Sequence, residues 1–126
     1  MMSNAMDDIA TIMLPEQVDS ATSAAVEAQM FAAMRPDGRV IVDGSAVTYM
    51  SAAGVRVLAT AIHRAAEEGT RIVLCRFSGP AADCLLVSGF SQLFDVAETV
   101  EEARKRLRLD RAGNTADRLH RRGTAG

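Results

Sequence analysis

Aromatic residues and cysteines are scarce in this chain. Its 126 residues include no tryptophan, one tyrosine, four phenylalanines and two cysteines. So few aromatic side chains leave little surface on which nucleic-acid bases could stack. Cys75 and Cys84 have no second pair, so neither a cysteine-rich zinc site nor a disulfide framework is indicated. We predict that both cysteines are small buried residues and that the chain holds no metal and no other cofactor.

The motifs of common enzymes and nucleotide-binding proteins are also absent. The sequence contains no Walker loop, no G-x-G-x-x-G segment and no G-x-S-x-G elbow. Without these motifs, neither nucleotide binding nor nucleophilic catalysis is indicated. We therefore expect a protein that acts by binding and is not an enzyme.

Long hydrophobic runs are missing, and charge is unevenly distributed. No apolar run approaches the roughly 20 residues that a membrane-spanning helix needs, so we expect a cytoplasmic protein without direct membrane insertion. Residues 104–126 hold eight basic and two acidic residues, whereas residues 1–103 hold six basic and fourteen acidic ones. An acidic body with few aromatic residues predicts no nucleic-acid partner.

Apolar runs and helical patterns alternate along the chain. We predict strands over 9–14, 39–47, 70–77 and 93–97, with helices over 18–34, 54–68, 80–89 and 99–107. The first strand is expected at a sheet edge. This alternation is typical of parallel strands joined by right-handed helical crossovers, so the predicted fold class is α/β.

Several residues have the chemistry of helix ends. Asp19 or Ser20 is expected to cap the first helix, and Gly69 to end the second. Thr99 and Glu102 have the spacing of a capping box at the start of the last helix.

The chain is interpreted as one globular domain with two flanking segments. Ser-Asn-Ala-Met at residues 3–6 resembles the remnant of tag removal, so residues 1–8 are expected to be a tag remnant and a disordered start. The domain is predicted over 9–109. Residues 110–126 are polar and almost without apolar periodicity, which predicts a flexible basic tail.

Two segments carry a resemblance to a known family. The segment VIVDGSAVTYMSAAGVRVLATAIHRAAEEGTRIVLC, residues 40–75, resembles the STAS domain of bacterial anti-sigma factor antagonists and of sulfate transporters. The segment VSGFSQLFDVAETVEEA, residues 87–103, is similar to the closing segment of the antagonist branch. The resemblance implies a mostly parallel central sheet of about four to five strands, with helices packed chiefly on one face.

The resemblance also implies a role for one turn. In the antagonist branch a turn such as Asp-Ser-Ser-Gly carries a phosphorylated serine at the start of a helix. Ser51 falls on the first position of that turn, Ala52 on the phosphoserine position, Ala53 on the third and Gly54 on the glycine. The implied partner is an anti-sigma factor that is also a serine kinase, in a partner-switching pathway that regulates transcription. Ala52 has no hydroxyl to accept a phosphate.

The predicted partner-binding surface includes this turn and the outward side of the helix that follows. Arg56 offers a forked donor for a carboxylate of the partner. Ser51 and Thr48 are the nearby hydroxyls that a kinase could modify instead, although Ser51 is also suited to cap the helix. The predicted contact residues are Ser51, Ala52, Ala53, Gly54, Arg56, Thr60 and His63.

Other functions and partners fit the same resemblance. The chain could be a soluble accessory subunit of a membrane transporter, or could bind a small anionic ligand at the helix N-terminus. Family members commonly open with an antiparallel strand pair, for which residues 9–19 leave little room. An exposed edge there could be shielded by a second copy in a homodimer.

Overall fold

The computed structural model describes residues 9–89 and 93–111. The predicted start, residues 1–8, and residues 112–126 of the predicted tail lie outside these ranges. The described part of the chain contains six strands and four helices: β1 (Ala10–Met13), β2 (Gln17–Val18), α1 (Ser23–Ala32), β3 (Arg39–Asp43), β4 (Tyr49–Met50), α2 (Ala52–Glu68), β5 (Arg71–Cys75), α3 (Gly79–Val87), β6 (Val96–Ala97) and α4 (Val100–Arg111). The predicted α/β class is confirmed.

Four of the strands form a parallel sheet in the order β1-β3-β5-β6. The predicted edge position of the first strand is confirmed, and no antiparallel strand lies beside it within the described residues. The two remaining strands, β2 and β4, pair with each other in a separate parallel sheet. Sequence analysis missed both, because a two-residue strand is too short to show a period.

The core has two layers, one on each face of the main sheet. Strand side chains alternate between faces, so Val40 and Val42 meet α1, α2 and α3, whereas Ile41 meets α4. On the α4 side Ile41 packs with Val73, Cys75, Ala97, Ala103 and Leu107. Three helices therefore cover one face and one helix covers the other, which confirms the expected distribution.

The first helix begins later than predicted. Val18 pairs with Met50 in the small sheet, so residue 18 is a strand residue rather than a helical one. The Asp19 carboxylate accepts hydrogen bonds from the N–H groups of Ala21 and Thr22, at 3.0 and 3.1 Å. This closes a turn ahead of the helix, and Thr22 is the residue at the N-cap position. The prediction that Asp19 or Ser20 caps α1 was wrong, because the carboxylate closes the turn instead.

Two strands end earlier than predicted, for local reasons. After β3 the Asp43 carboxylate accepts the Ser45 N–H at 2.9 Å, which turns the chain away from the sheet. After β5 the backbone enters the left-handed region at Arg76, with φ 63°. The Phe77 ring then packs over Gly44, where a Cβ would lie 2.6 Å from the ring.

The predicted end of α2 at Gly69 and the predicted start of α4 at Thr99 are confirmed. Gly69 follows α2 in the left-handed conformation, with φ 84°. The Thr99 hydroxyl accepts the Glu102 N–H at 3.0 Å, and Glu102 accepts the Glu98 N–H at 3.2 Å. The Glu98 N–H and then Arg106 hold the pKa of the Glu102 carboxyl below its ordinary value. The start of α4 is therefore fixed by both backbone and side-chain partners.

Candidate functional site

The turn that precedes α2 is held against the chain that follows β1. We call residues 48–54 the helix-start turn. The Ser51 N–H donates to the Val18 carbonyl at 2.9 Å, and the Thr48 and Tyr49 N–H groups donate to the Glu16 carbonyl at 2.8 and 3.2 Å. The small β2/β4 sheet therefore fixes the position at which α2 begins.

Ser51 is the N-cap of α2. Its backbone is extended, and its Oγ accepts the Gly54 N–H at 3.2 Å. Its carbonyl accepts the Val55 N–H at 3.0 Å, which is the first hydrogen bond of the helix. The residue is half-buried, so its hydroxyl is already engaged in the fold. Of the two roles considered for Ser51, the structure shows the cap.

Gly54 has a packing role inside the molecule. It is buried, and a Cβ at this position would lie 2.2 Å from the Val18 carbonyl oxygen. Real side chains do not tolerate such a contact, so the helix can approach β2 only if this residue is glycine. Gly54 therefore shapes the helix-start turn from within and presents no side chain to a partner.

Four of the predicted contact residues share the exposed side of α2. The helix begins at Ala52, two residues before the predicted start. Residues spaced by four or three positions lie on one face of a helix. Ala52, Arg56, Thr60 and His63 follow this spacing and are all exposed. We call them the outer stripe of α2. At the far end of this stripe, the Glu67 carboxylate lies 3.5 Å from the Nε2 of His63.

The remaining predicted contact residues lie beside this stripe. Ala53 is half-buried at the first turn of the helix. Thr48 is exposed and precedes β4, and its hydroxyl donates to the Glu16 carbonyl at 3.3 Å. The structure thus brings Thr48, Ser51, Ala52 and Ala53 together around the start of α2.

Sequence analysis missed Tyr49 as part of this surface. Tyr49 follows Thr48 on β4, and 51% of it is exposed. Met50, the next residue, is buried, because side chains along a strand point alternately in and out. Recognising the short strand β4 would have predicted the exposure of Tyr49.

Helix α3 also borders the helix-start turn. The Cys84 thiol donates to the Met50 carbonyl at 3.4 Å, which places α3 against β4. At the end of α3, Leu86 and Val87 are 71% and 82% exposed, while Leu85 is buried. Three successive apolar residues exceed what one helical face can bury, and this was the signal in the sequence for an exposed apolar end.

The two cysteines differ in their surroundings. Cys75 is fully buried, and burial together with the nearby Asp43 carboxylate raises the pKa of its thiol to about 11. Cys84 is half-buried and packs against the core. The prediction of a buried cysteine is confirmed for Cys75, whereas Cys84 keeps part of its surface exposed.

None of the helices within residues 9–89 and 93–111 combines the length and the apolar composition that crossing a bilayer requires.

Comparisons with known proteins agree with this architecture. A sequence model of the STAS domain family matches residues 2–103. The Bordetella bronchiseptica protein BtrV, assigned as an anti-sigma factor antagonist, is 28% identical over 99 residues, which are 78% of this chain and 85% of BtrV.

Solved structures share the fold at lower sequence identity. An anti-sigma factor antagonist from Mycobacterium paratuberculosis is similar with a TM-score of 0.68 and 24% identity, over 81% of this chain and 87% of that one. The murine anion transporter Slc26a9 is similar with a TM-score of 0.70 and 17% identity, over 81% of this chain but only 18% of the transporter. Because the family model covers most of the sequence and the solved structures share the fold, the chain belongs to the STAS domain family.

Proposed function

We propose that this chain is a non-enzymatic, anti-sigma factor antagonist-like module that binds an anti-sigma factor with serine-kinase activity. The observation that carries the proposal is the exposure of Ala52 at the start of α2, at the head of the outer stripe. BtrV and the Mycobacterium paratuberculosis protein, both described as antagonists, are similar over most of this chain. Their similarity supports the class of partner.

The chemistry of the surface fits a protein partner. Ala52 and Ala53 are small, so the partner can approach the backbone of the helix-start turn closely. Arg56, one helical turn further on, is exposed and can donate two hydrogen bonds to a carboxylate. The exposed side chain of Tyr49, which lies on β4 within the helix-start turn, supplies aromatic contact area.

The surface lacks the hydroxyl at which the family's switch acts. At the proposed phosphoserine position, Ala52 has no oxygen that could receive a phosphoryl group. Docking at this turn is therefore not ended by phosphorylation of residue 52. We infer that the shape of the docking surface is retained while this particular switch is lost.

The test begins with capture of the partner. The tagged full-length chain is used to capture proteins from extract of its own cells, and the bound proteins are identified by mass spectrometry. The affinity of the purified partner is then measured for the wild type and for the Ala52→Asp and Ala28→Asp variants. In the complex, the new carboxylate of Ala52→Asp would be buried in the interface without a partner, which lowers the binding free energy. We therefore expect this variant to bind about tenfold more weakly or worse.

Ala28→Asp is the matched control, since Ala28 is an exposed alanine on another helix, α1. It introduces the same charge away from the helix-start turn and should leave the affinity unchanged. If Ala52→Asp binds as tightly as the wild type, the turn does not belong to the interface. Capture of transporter subunits, rather than an anti-sigma factor or a kinase, would replace the proposal with the accessory-subunit function.

A further inference from the structure

On the basis of the proposed function, we propose that a kinase regulates this docking surface by phosphorylating Thr48. The helix-start turn has two aliphatic hydroxyls, those of Thr48 and Ser51. The hydrogen bonds around them differ, and this difference favours Thr48 as the acceptor.

The Thr48 hydroxyl is one of three donors to the Glu16 carbonyl oxygen, and this carbonyl does not depend on it. Three groups donate to the Glu16 carbonyl oxygen: the Thr48 N–H at 2.8 Å, the Tyr49 N–H at 3.2 Å and the Thr48 hydroxyl at 3.3 Å. A carbonyl oxygen has two lone pairs, which the two N–H groups can occupy. The hydroxyl makes the longest of the three bonds, so the Glu16 carbonyl keeps its backbone partners when the hydroxyl is withdrawn.

The Ser51 hydroxyl is less available. It accepts the Gly54 N–H and is the side-chain cap of α2, on a half-buried residue. Drawing this oxygen into a kinase active site would uncap the helix, at a cost of about 1 kcal/mol. Thr48 is exposed and has no such structural duty.

Thr48 is also close enough to the predicted interface to control it. Two residues separate Thr48 from Ser51, so three steps of extended chain give a span of roughly 10 Å. An interface of ordinary size buries about 800 Å² on each partner and is therefore roughly 30 Å across. Ser45, another exposed hydroxyl, is separated from the turn by the buried Val47.

The modification is an ordinary phosphoryl transfer that uses ATP as co-reactant and a protein kinase as catalyst. The Thr48 Oγ1 forms a bond to the γ-phosphorus, and the bond from that phosphorus to the β,γ-bridging oxygen breaks. ADP leaves, and the hydroxyl proton passes to a base of the kinase. The product adds about −1.5 to −2 charges to the surface, which opposes docking because the phosphate would have to be desolvated.

Protease digestion provides a direct test. Cleavage after Arg39 and Arg56 releases residues 40–56, a peptide that contains Ser45, Thr48, Tyr49 and Ser51. The full-length chain is incubated with radiolabelled ATP and extract of its own cells, and fragmentation of this peptide locates the phosphate. The same assay is applied to the Thr48→Ala, Ser51→Ala and Ala52→Ser variants.

We expect phosphate on Thr48 in the wild type, its loss in Thr48→Ala and its retention in Ser51→Ala. Thr48→Asp should bind the captured partner about tenfold more weakly, whereas the uncharged Thr48→Val should bind like the wild type. Phosphate on Ser45 or Ser51, or no phosphate on the wild-type peptide, would overturn the proposal.

The Ala52→Ser variant separates this proposal from the proposed function. If Ala52→Ser is labelled on residue 52 and the wild type is not, a kinase recognises the turn but does not use Thr48. The docking function then stands and the Thr48 proposal fails. If neither chain is labelled and no kinase or anti-sigma factor is captured, both proposals fail.

Discussion

Gly54 shows how one residue can be tied to the position of the whole site. It is a helical glycine whose missing side chain makes room for the Val18 carbonyl, and through that contact α2 rests on β2. The resemblance to the antagonist turn indicated a glycine here, but not its physical reason. That reason is a contact between residues 36 positions apart in the sequence, which no local pattern contains.

Replacing Gly54 with alanine should reverse the usual effect of that substitution in a helix. Glycine to alanine within a helix ordinarily stabilises a protein by up to about 1 kcal/mol. At Gly54 the new Cβ would meet the Val18 carbonyl at 2.2 Å, and overpacking of this kind costs about 1 to 3 kcal/mol or more. We expect the free energy of unfolding, measured by urea titration, to fall.

Gly89→Ala is the matched control for this measurement. A Cβ at Gly89 would have no heavy atom within 4 Å, so its effect should stay within about 0.5 kcal/mol. A Gly54→Ala chain as stable as the wild type would show that α2 can move away from β2 at little cost.

At the scale of elements, helix ends were easier to predict than short strands. The capping box at Thr99 and the glycine stop at Gly69 depend on local chemistry, and both are found in the structure. The strands β2 and β4 depend on pairing between distant segments, so their sequences carry no comparable signal. Missing β2 also led to the wrong start for α1, because Val18 was included in the helix.

The start of α4 should weaken as the pH falls. The pKa of Glu102 is held below its ordinary value by the Glu98 N–H and by Arg106, whose Nη2 lies 2.7 Å from the carboxylate. A carboxyl with a lowered folded pKa contributes stability above its unfolded pKa. That contribution is lost as the pH falls through the folded pKa. We therefore expect Glu102→Gln to lose less stability than the wild type between about pH 7 and about pH 4.

Urea titrations at the two pH values measure this difference. Glu101→Gln removes the same charge from the same helical turn, so it separates the effect of the capping carboxylate from a change in net charge. If Glu102→Gln and the wild type lose equal stability on acidification, the hydrogen bonds of Glu102 do not contribute to the pH dependence.

At the scale of the whole molecule, α4 completes the second layer of the core. The buried side chains of Ala103 and Leu107 cover Ile41, Val73 and Cys75 on the face of the sheet opposite the helix-start turn. Arg106 of α4 also bonds to Asp95 at 2.5 Å, and Asp95 in turn pairs with Arg71 of β5. The last helix is therefore an integral part of the domain.

Two truncations test this organisation. Removing residues 98–126 uncovers the α4 side of the sheet and should cost at least about 3 kcal/mol of unfolding free energy, because several apolar side chains lose their cover. Removing only residues 112–126 should leave the urea unfolding curve unchanged, as expected for the predicted tail. Equal curves for the full chain and both truncated chains would show that α4 does not stabilise the sheet.

The sequence by itself determined the fold class, the buried strands β3 and β5, the amphipathic helix α2 and the resemblance to the antagonist turn. These features depend on periodicity, turn chemistry and residue order, which are local properties. The tertiary structure alone decided that Gly54 packs on Val18, that Tyr49 lies exposed on β4 and that α3 rests against β4. Those features depend on contacts between segments far apart in the chain, and such contacts exist only once the sheet has brought the segments together.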